Sequence, residues 1–287
     1  MNVLVATDGS KYGRWELNWV ATLPFIEPPR VTALHVLDIV SLRAPFLAQP
    51  VMAGNERYIQ EEVRRMEAHS IKTVQEAAQL LASLNLMGAA RKEQGAVAPT
   101  ILKHAPKRDG LLVVGSKGLD ALDRFMLGSV STNLIHHATC PVLVVKGEAA
   151  PLRRIALATD GSQASAKALA FLVKMFQPDP SPCMDGQAPI HVNVIHVMPL
   201  AKYPALKKVG EKVTEQNVLK LVKAGFTAEP ICRSGKPADE IMKAAAKQHA
   251  DLIVMGAKGL GAIARFLLGS VSTRVVQHAH CTVLVVR

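Results

Sequence analysis

The stretch from Leu111 to Val145 aligns without a gap on Leu252 to Val286, and 22 of its 35 positions are identical. Self-similarity on that scale limits the chain to architectures that can be built twice. The openings repeat as well: Leu4-Val5-Ala6-Thr7-Asp8-Gly9-Ser10 is answered by Ala156-Leu157-Ala158-Thr159-Asp160-Gly161-Ser162, and Leu34-His35-Val36 by Ile195-His196-Val197. The 287 residues therefore divide into two domains, 1–147 and 152–287, joined by the short linker Gly147 to Pro151. Two insertions set the copies apart, one around Pro45 to Glu56 and one from Pro178 to Pro189. Their Pro, Gly, Ser and Asp content reads as surface loop.

Within each copy, strand and helix patterns alternate. Strands are predicted over 3–7 and 154–159, 31–37 and 191–198, 88–93 and 227–233, 110–115 and 251–256, and 141–146 and 282–286. Between them the pattern predicts charged amphipathic helices over 58–84 and 207–224, then shorter ones over 98–106 and 237–249 and over 130–138 and 271–279. The first and fourth strands are near-continuous apolar runs, as strands buried on both faces require. The expected fold class is α/β: two tandem, doubly wound, five-stranded parallel-sheet domains of Rossmann-like type. In such sheets ligands bind at the carboxyl ends of the strands, where the strand order reverses.

Charge and cysteines narrow the function classes. The formal charge is +11, of which residues 1–147 carry +3 and residues 148–287 carry +8. The second-copy excess includes Lys202, Lys207, Lys208, Lys212, Lys220 and Lys223. With Tyr203 the only aromatic near them, they read as a solvated helix face rather than a nucleic-acid surface. Cys140, Cys183, Cys232 and Cys281 form no C-x-x-C pair, so a metal or disulfide framework is not expected. Cys140 and Cys281 hold equivalent places and read as small buried hydrophobes. No leader and no membrane-length apolar run is visible, and a cytoplasmic protein without a membrane partner is expected.

Chemistry concentrates in one loop. Gly115-Ser116-Lys117-Gly118, nine residues and then Gly128-Ser129 make a G-x2-G-x9-G-S pattern, and Gly256-Ala257-Lys258-Gly259 with Gly269-Ser270 repeats it in full. Glycines after a strand allow backbone amides to approach a phosphate. Ser129-Val130-Ser131 and Ser270-Val271-Ser272 open the next helix, where free N–H groups and the dipole favour an anion. Neither a Walker lysine motif nor a G-x-G-x-x-G fingerprint is present, and neither loop holds a Glu or His as a general base.

The Asp-Gly-Ser turn, the His-Val of strand two, the duplicated glycine loop and the endings Cys140-Pro-Val-Leu-Val-Val and Cys281-Thr-Val-Leu-Val-Val resemble the ATP-binding branch of the universal stress protein family. The resemblance covers nearly the whole chain, twice. It implies a nucleotide-binding regulatory protein of the stress response, with ATP or another adenine nucleotide as ligand, accompanied by Mg2+, and no catalytic residue. A slow ATPase or nucleotide transferase is the alternative. Asp8 and Asp160 would lie beside the nucleoside. Ala6, Val36 and Val114, with Ala158, Val197 and Met255, would line the base. Gly115, Gly118, Gly128, Ser129, Val130 and Ser131, with Gly256, Gly259, Gly269, Ser270, Val271 and Ser272, would hold the phosphates through amides and hydroxyls.

Other readings stand beside these. Asp8 and Asp160 also suit plain helix caps, His35 and His196 read as buried strand residues, and Lys117 and Lys258 divide between steadying phosphates and plain solvation. Arg124 and Arg265 read as surface ion-pair residues. Single-domain members of the family pair through their last strands, so the two domains are expected to form a pseudo-dimer within one chain. Association of two chains is left open.

Overall fold

A computed structural model describes residues 1–39, 55–107, 109–116, 127–178, 189–198, 204–259 and 268–287. The first copy runs β1 (Asn2–Ala6), α1 (Lys11–Thr22), β2 (Arg30–Leu37), α2 (Asn55–Ser83), β3 (Gly88–Gln94), α3 (Val97–His104), β4 (Leu111–Gly115), α4 (Ser129–His137) and β5 (Val142–Val145). The second runs β6 (Arg154–Ala158), α5 (Gln163–Met175), β7 (His191–Met198), α6 (Pro204–Lys223), β8 (Thr227–Ser234), α7 (Pro237–Lys247), β9 (Leu252–Gly256), α8 (Ser270–His278) and β10 (Thr282–Val286). Most of both insertions, together with Lys117, Gly118, Arg124, Cys183, Lys202 and Arg265, lies outside the described residues.

The ten strands form one sheet in the order β3-β2-β1-β4-β5-β10-β9-β6-β7-β8. Each half is parallel, with β1 and β6 central to the crossovers, as the alternating pattern predicts. The halves meet at a single antiparallel pair, in which Val142, Leu143 and Val144 oppose Val285, Leu284 and Val283. Two five-stranded sheets are thus one ten-stranded sheet with a pseudo-twofold axis at its middle. All four residues of β5 and all five of β10 are buried; left unpaired, such apolar strands would be exposed edges. The actual edges are β3 and β8, both largely exposed and carrying charges such as Arg91, Lys92 and Glu229. Pro230 in β8 fits there because an edge strand can spare an N–H.

Alternation along the strands feeds two apolar layers, one on each face. Leu143 and Leu284 point to the layer under α1, α2, α5 and α6, and Val142, Val144, Val283 and Val285 to the layer under α3, α4, α7 and α8. Each apolar layer therefore runs continuously across the joint. Further contacts bind the joint. Trp19 Nε1 donates to the Gly147 carbonyl at 2.9 Å, and Phe25 packs on Phe176 with ring centroids 5.8 Å apart. Ile26 N donates to Met175 O and Gln177 N to Pro24 O. After β5, Lys146 Nζ donates to the Gln277 carbonyl near the end of α8, and after β10, Arg287 donates to the Ile135 carbonyl near the end of α4. Each copy thus places a cation at the carbonyl end of a helix in the other, where the dipole favours it.

Cys140 is buried and Cys281 half-buried, and burial pushes both thiols up to about 11. Neither is poised as a thiolate at neutral pH. Lys208, Lys212, Lys220 and Lys223 are exposed on α6. No helix among the described residues is long and apolar enough to cross a membrane.

Candidate functional site

In the second copy the β6–β9 ladder ends at Leu157 opposite Val254, and beyond it the two strands lead away to opposite faces. Thr159 N still bonds to Ile195 O at 2.9 Å, which holds the turn against β7. Gly161 then takes φ +79, a conformation that glycine adopts without penalty. Asp160 Oδ1 accepts from Ser162 N at 3.0 Å, and Ser162 caps α5 by accepting from Ser165 N. The cap role and the crevice role of this turn therefore fall to different atoms: Ser162 caps, while Asp160 braces the turn and lines the crevice.

A cavity of about 570 Å³ opens here, within the range usual for ligand pockets. Ala158, Asp160, Val197, Met255, Gly256, Gly259, Gly269, Ser270, Val271 and Ser272, all ten candidates of this copy, line it. Its lining joins the apolar side chains Val197, Val209, Val213, Pro237, Ile241 and Met255 to the glycine loop and the start of α8. Gly269 has no side chain with which to cap that helix, so its first amides are left to face the crevice. A Cβ on Gly256 would meet the Ala164 carbonyl carbon at 2.7 Å, and one on Gly259 would meet Asp160 Oδ2 at 2.8 Å. Gly256 is needed for close packing against the α5 backbone, whereas at Gly259 the Asp160 carboxylate can swing aside.

Two details depart from expectation. The Ser272 hydroxyl donates to the Gly256 carbonyl at 2.9 Å and the Ser131 hydroxyl to the Gly115 carbonyl at 2.6 Å. Their protons are engaged in tying loop to helix, which leaves the helix amides and the exposed Ser129 and Ser270 as the donors for an anion. His196, read as a buried strand residue, is half-buried and lines the cavity, its Nδ1 donating to the Thr159 carbonyl at 2.9 Å.

The first copy repeats this frame. Asp8 Oδ1 accepts from Ser10 N at 2.9 Å, Gly9 takes φ +81, and His35 Nδ1 donates to the Thr7 carbonyl at 3.0 Å. Ala6 ends β1, Val36 lies in β2, Val114 and Gly115 end β4, and Gly128 precedes α4. His35 is buried here, and burial lowers its pKa against the raising effect of the Thr7 carbonyl.

The helices over the two crevices differ, and neither their contacts nor their counterparts are legible from the repeated motifs. The space above Gly9 is taken by Thr73 and that above Gly161 by Val213, which aligns α2 with α6. His69 then corresponds to Val209 and Ala77 to Asn217. His69 Nε2 lies 3.4 Å from both Asp8 O and Thr73 Oγ1, and its ring stands edge-on to His35 at 6.2 Å. Asn217 Nδ2 instead donates to Thr159 Oγ1 at 3.1 Å, which donates to Ser165 Oγ at 3.3 Å. A Val-x-x-x-Val-x-x-x-Asn spacing on a lysine-rich helix was the one available signal for the α6 wall.

Known proteins carry the same frame. The profile of the universal stress protein family matches twice, over residues 1–146 and 151–287. A universal stress protein of Mycolicibacterium smegmatis is 31% identical over 299 residues, spanning 99% of this chain and 96% of that protein. One from Methanocaldococcus jannaschii is 35% identical over 146 residues, covering 47% of this chain and 82% of its own length. A solved universal stress protein from Archaeoglobus fulgidus superposes with a TM-score of 0.69 at 21% identity, covering 100% of this chain and 98% of that one; at that identity the likeness speaks for the fold. With two matched domains and the shared frame at each crevice, the chain belongs to the universal stress protein family.

Proposed function

We propose that the chain is a nucleotide-binding regulatory protein of the stress response, with one adenine-nucleotide crevice in each copy. The observation that carries this reading is the convergence of the ten second-copy motif residues on one cavity lined by apolar side chains, a glycine loop and a helix start. The apolar side chains suit a base, which would pack against Met255, Val197 and Ile241. The start of α8 and the glycine loop suit phosphates. Asp160 would lie beside the nucleoside. Among the described residues no cluster of three His, Cys, Asp or Glu side chains could hold a cation, so Mg2+ would enter with the phosphates of ATP. Occupancy would act by favouring one arrangement of loop and helices over another.

Calorimetry with ATP tests the reading. The wild-type chain takes up two equivalents. Gly118→Val with Gly128→Val removes one, and Gly259→Val with Gly269→Val removes the other. One equivalent at saturation in the wild type contradicts the two-site reading, and none contradicts nucleotide binding. Turnover of ATP at roughly 1–1000 per second, the usual enzyme range, would replace the regulatory reading with a catalytic one.

A further inference from the structure

Counting from Asp8 along α1 and from Asp160 along α5 sets Glu16 opposite Ala168. Ala168 is 0% exposed and Glu16 is 3% exposed. A position that is small and apolar in one copy is thus a buried carboxyl in the other. Glu16 Oε2 has no hydrogen-bond partner among the described residues. The groups that act on this carboxyl are Asp8, just beyond β1, and the backbone of Gly115 at the end of β4. The β1–β4 ladder stops at Val5 opposite Val113, so Glu16 lies close to the splayed ends of these strands, where Asp8 and Gly115 open the first crevice. A buried carboxyl with one oxygen left without a partner costs stability, and the fold does not need it, because the second copy is built without one.

We infer that Glu16 makes the first copy a proton-coupled site that discriminates by ligand charge: a phosphate-bearing nucleotide enters it only with that carboxyl protonated, whereas the second copy accepts the same nucleotide without a proton. The inference rests on the adenine-nucleotide reading and adds a difference between the two sites. A phosphate arriving at these strand ends raises the cost of a second negative charge in a poorly solvated place. Proton and phosphate therefore bind cooperatively, each tightening the other by the same factor.

Burial raises the Glu16 pKa well above the ordinary carboxylate value, Asp8 raises it further, and the Gly115 backbone opposes them. The other charged or titratable groups around α1 face elsewhere. Arg14 pairs with Glu76 at the surface. His69 on α2 is turned to Asp8 O and Thr73, and His35 on β2 donates to the Thr7 carbonyl. Strands β4 and β5 carry no titratable side chain, and Lys146 after β5 reaches the Gln277 carbonyl.

While Glu16 is neutral, the first copy behaves like the second. Once pH rises past the point where Glu16 ionises, each phosphate must bring a proton with it, and affinity falls by up to about ten-fold per pH unit. The nucleotide's own titration is common to both copies and drops out of their ratio.

The test uses the full chain with one loop filled at a time: Gly259→Val with Gly269→Val isolates the first copy, and Gly118→Val with Gly128→Val the second. Each is titrated with ATP and with adenosine between about pH 5 and about pH 9, a span bracketing a raised carboxyl. The ratio of first-copy to second-copy ATP affinity should fall by at least ten-fold with rising pH, and the adenosine ratio should stay level. Glu16→Gln, which keeps the shape, and Glu16→Ala, which installs the second copy's residue, should each abolish the slope.

A level ATP ratio overturns the inference and leaves nucleotide binding intact. So does an equal fall for adenosine. A slope that survives both substitutions assigns the coupling to His35 or His69 and overturns it too. Failure of ATP to bind either copy at any pH overturns the nucleotide reading, and this inference with it.

Discussion

Beside Thr159 in the second copy, Asn217 and Ser165 complete a hydrogen-bonded chain, whereas beside Thr7 in the first, Ala77 and Gly13 stand in their places and a cleft of about 400 Å³ lies between α1 and α2. A Cβ on Gly13 would fall 2.3 Å from Thr7 Oγ1, so the first copy could not take Ser165's equivalent without turning Thr7. His69 leans over Asp8 where Val209 lines an open cavity. Yet the strands beneath pair in the same order and the glycine loops are identical in pattern. The segment that changed least between copies supplies both the loop amides and the joint, and two constraints on one stretch of chain explain its 22 identities in 35 positions. The covering helices meet only one constraint each, to bury a face, and many sequences satisfy it.

The widest gap between variant and wild type is expected at Gly256. A side chain there meets the Ala164 backbone at 2.7–2.8 Å, and backbone cannot swing aside. Gly256→Val should lower stability by about 3 kcal/mol, the upper range for overpacking, as read by denaturant unfolding. A loss below about 1 kcal/mol would mean that this contact does not hold α5 against the second crevice.

Next in size is Glu16, through pH. Its folded-state pKa is raised, so its contribution is fully present below the ordinary carboxylate pKa and is lost as pH rises through the folded value. Glu16→Gln should therefore gain on the wild type with rising pH, by about 1–2 kcal/mol across the window. Thermal melts at acid and alkaline pH check it; a constant difference would show that the buried carboxyl of the first copy does not titrate across this range. Smallest is Asn217→Ala, which removes one half-buried hydrogen bond to Thr159. About 1 kcal/mol should be lost. If the loss is nil, the closed chain of the second copy and the cleft of the first are energetically alike, and that part of the contrast is only geometric.

Much of this was readable without coordinates because the responsible signals are local. Buried runs such as Leu111–Gly115 and Leu252–Gly256 mark central strands by their lack of alternation. The Asp-Gly-Ser turns mark the end of β1 and β6. The ends of the helices move by a few residues, as over 98–106 against Val97–His104, because the final turn is decided by tertiary contacts.

What sequence could not show are pairings across distance. Asn217 reaches Thr159 over 58 residues and Trp19 reaches Gly147 over 128. The tying of the Ser131 and Ser272 hydroxyls depends on carbonyls 16 residues back. Glu16 gave no signal at all: a glutamate in the middle of a helix ordinarily faces water, and only its packing against the sheet makes it chemically distinct.

The antiparallel joint of β5 and β10 has a consequence for inheritance. Where two identical chains meet about a twofold axis, every substitution appears on both sides at once, and the assembly cannot hold a buried carboxyl on one side alone. Here the partners are encoded in tandem, and the joint holds them in the same embrace while each is free to mutate alone. Glu16 stands in one copy with Ala168 in its mirror position, and a chain that encodes both partners has room for two unlike crevices.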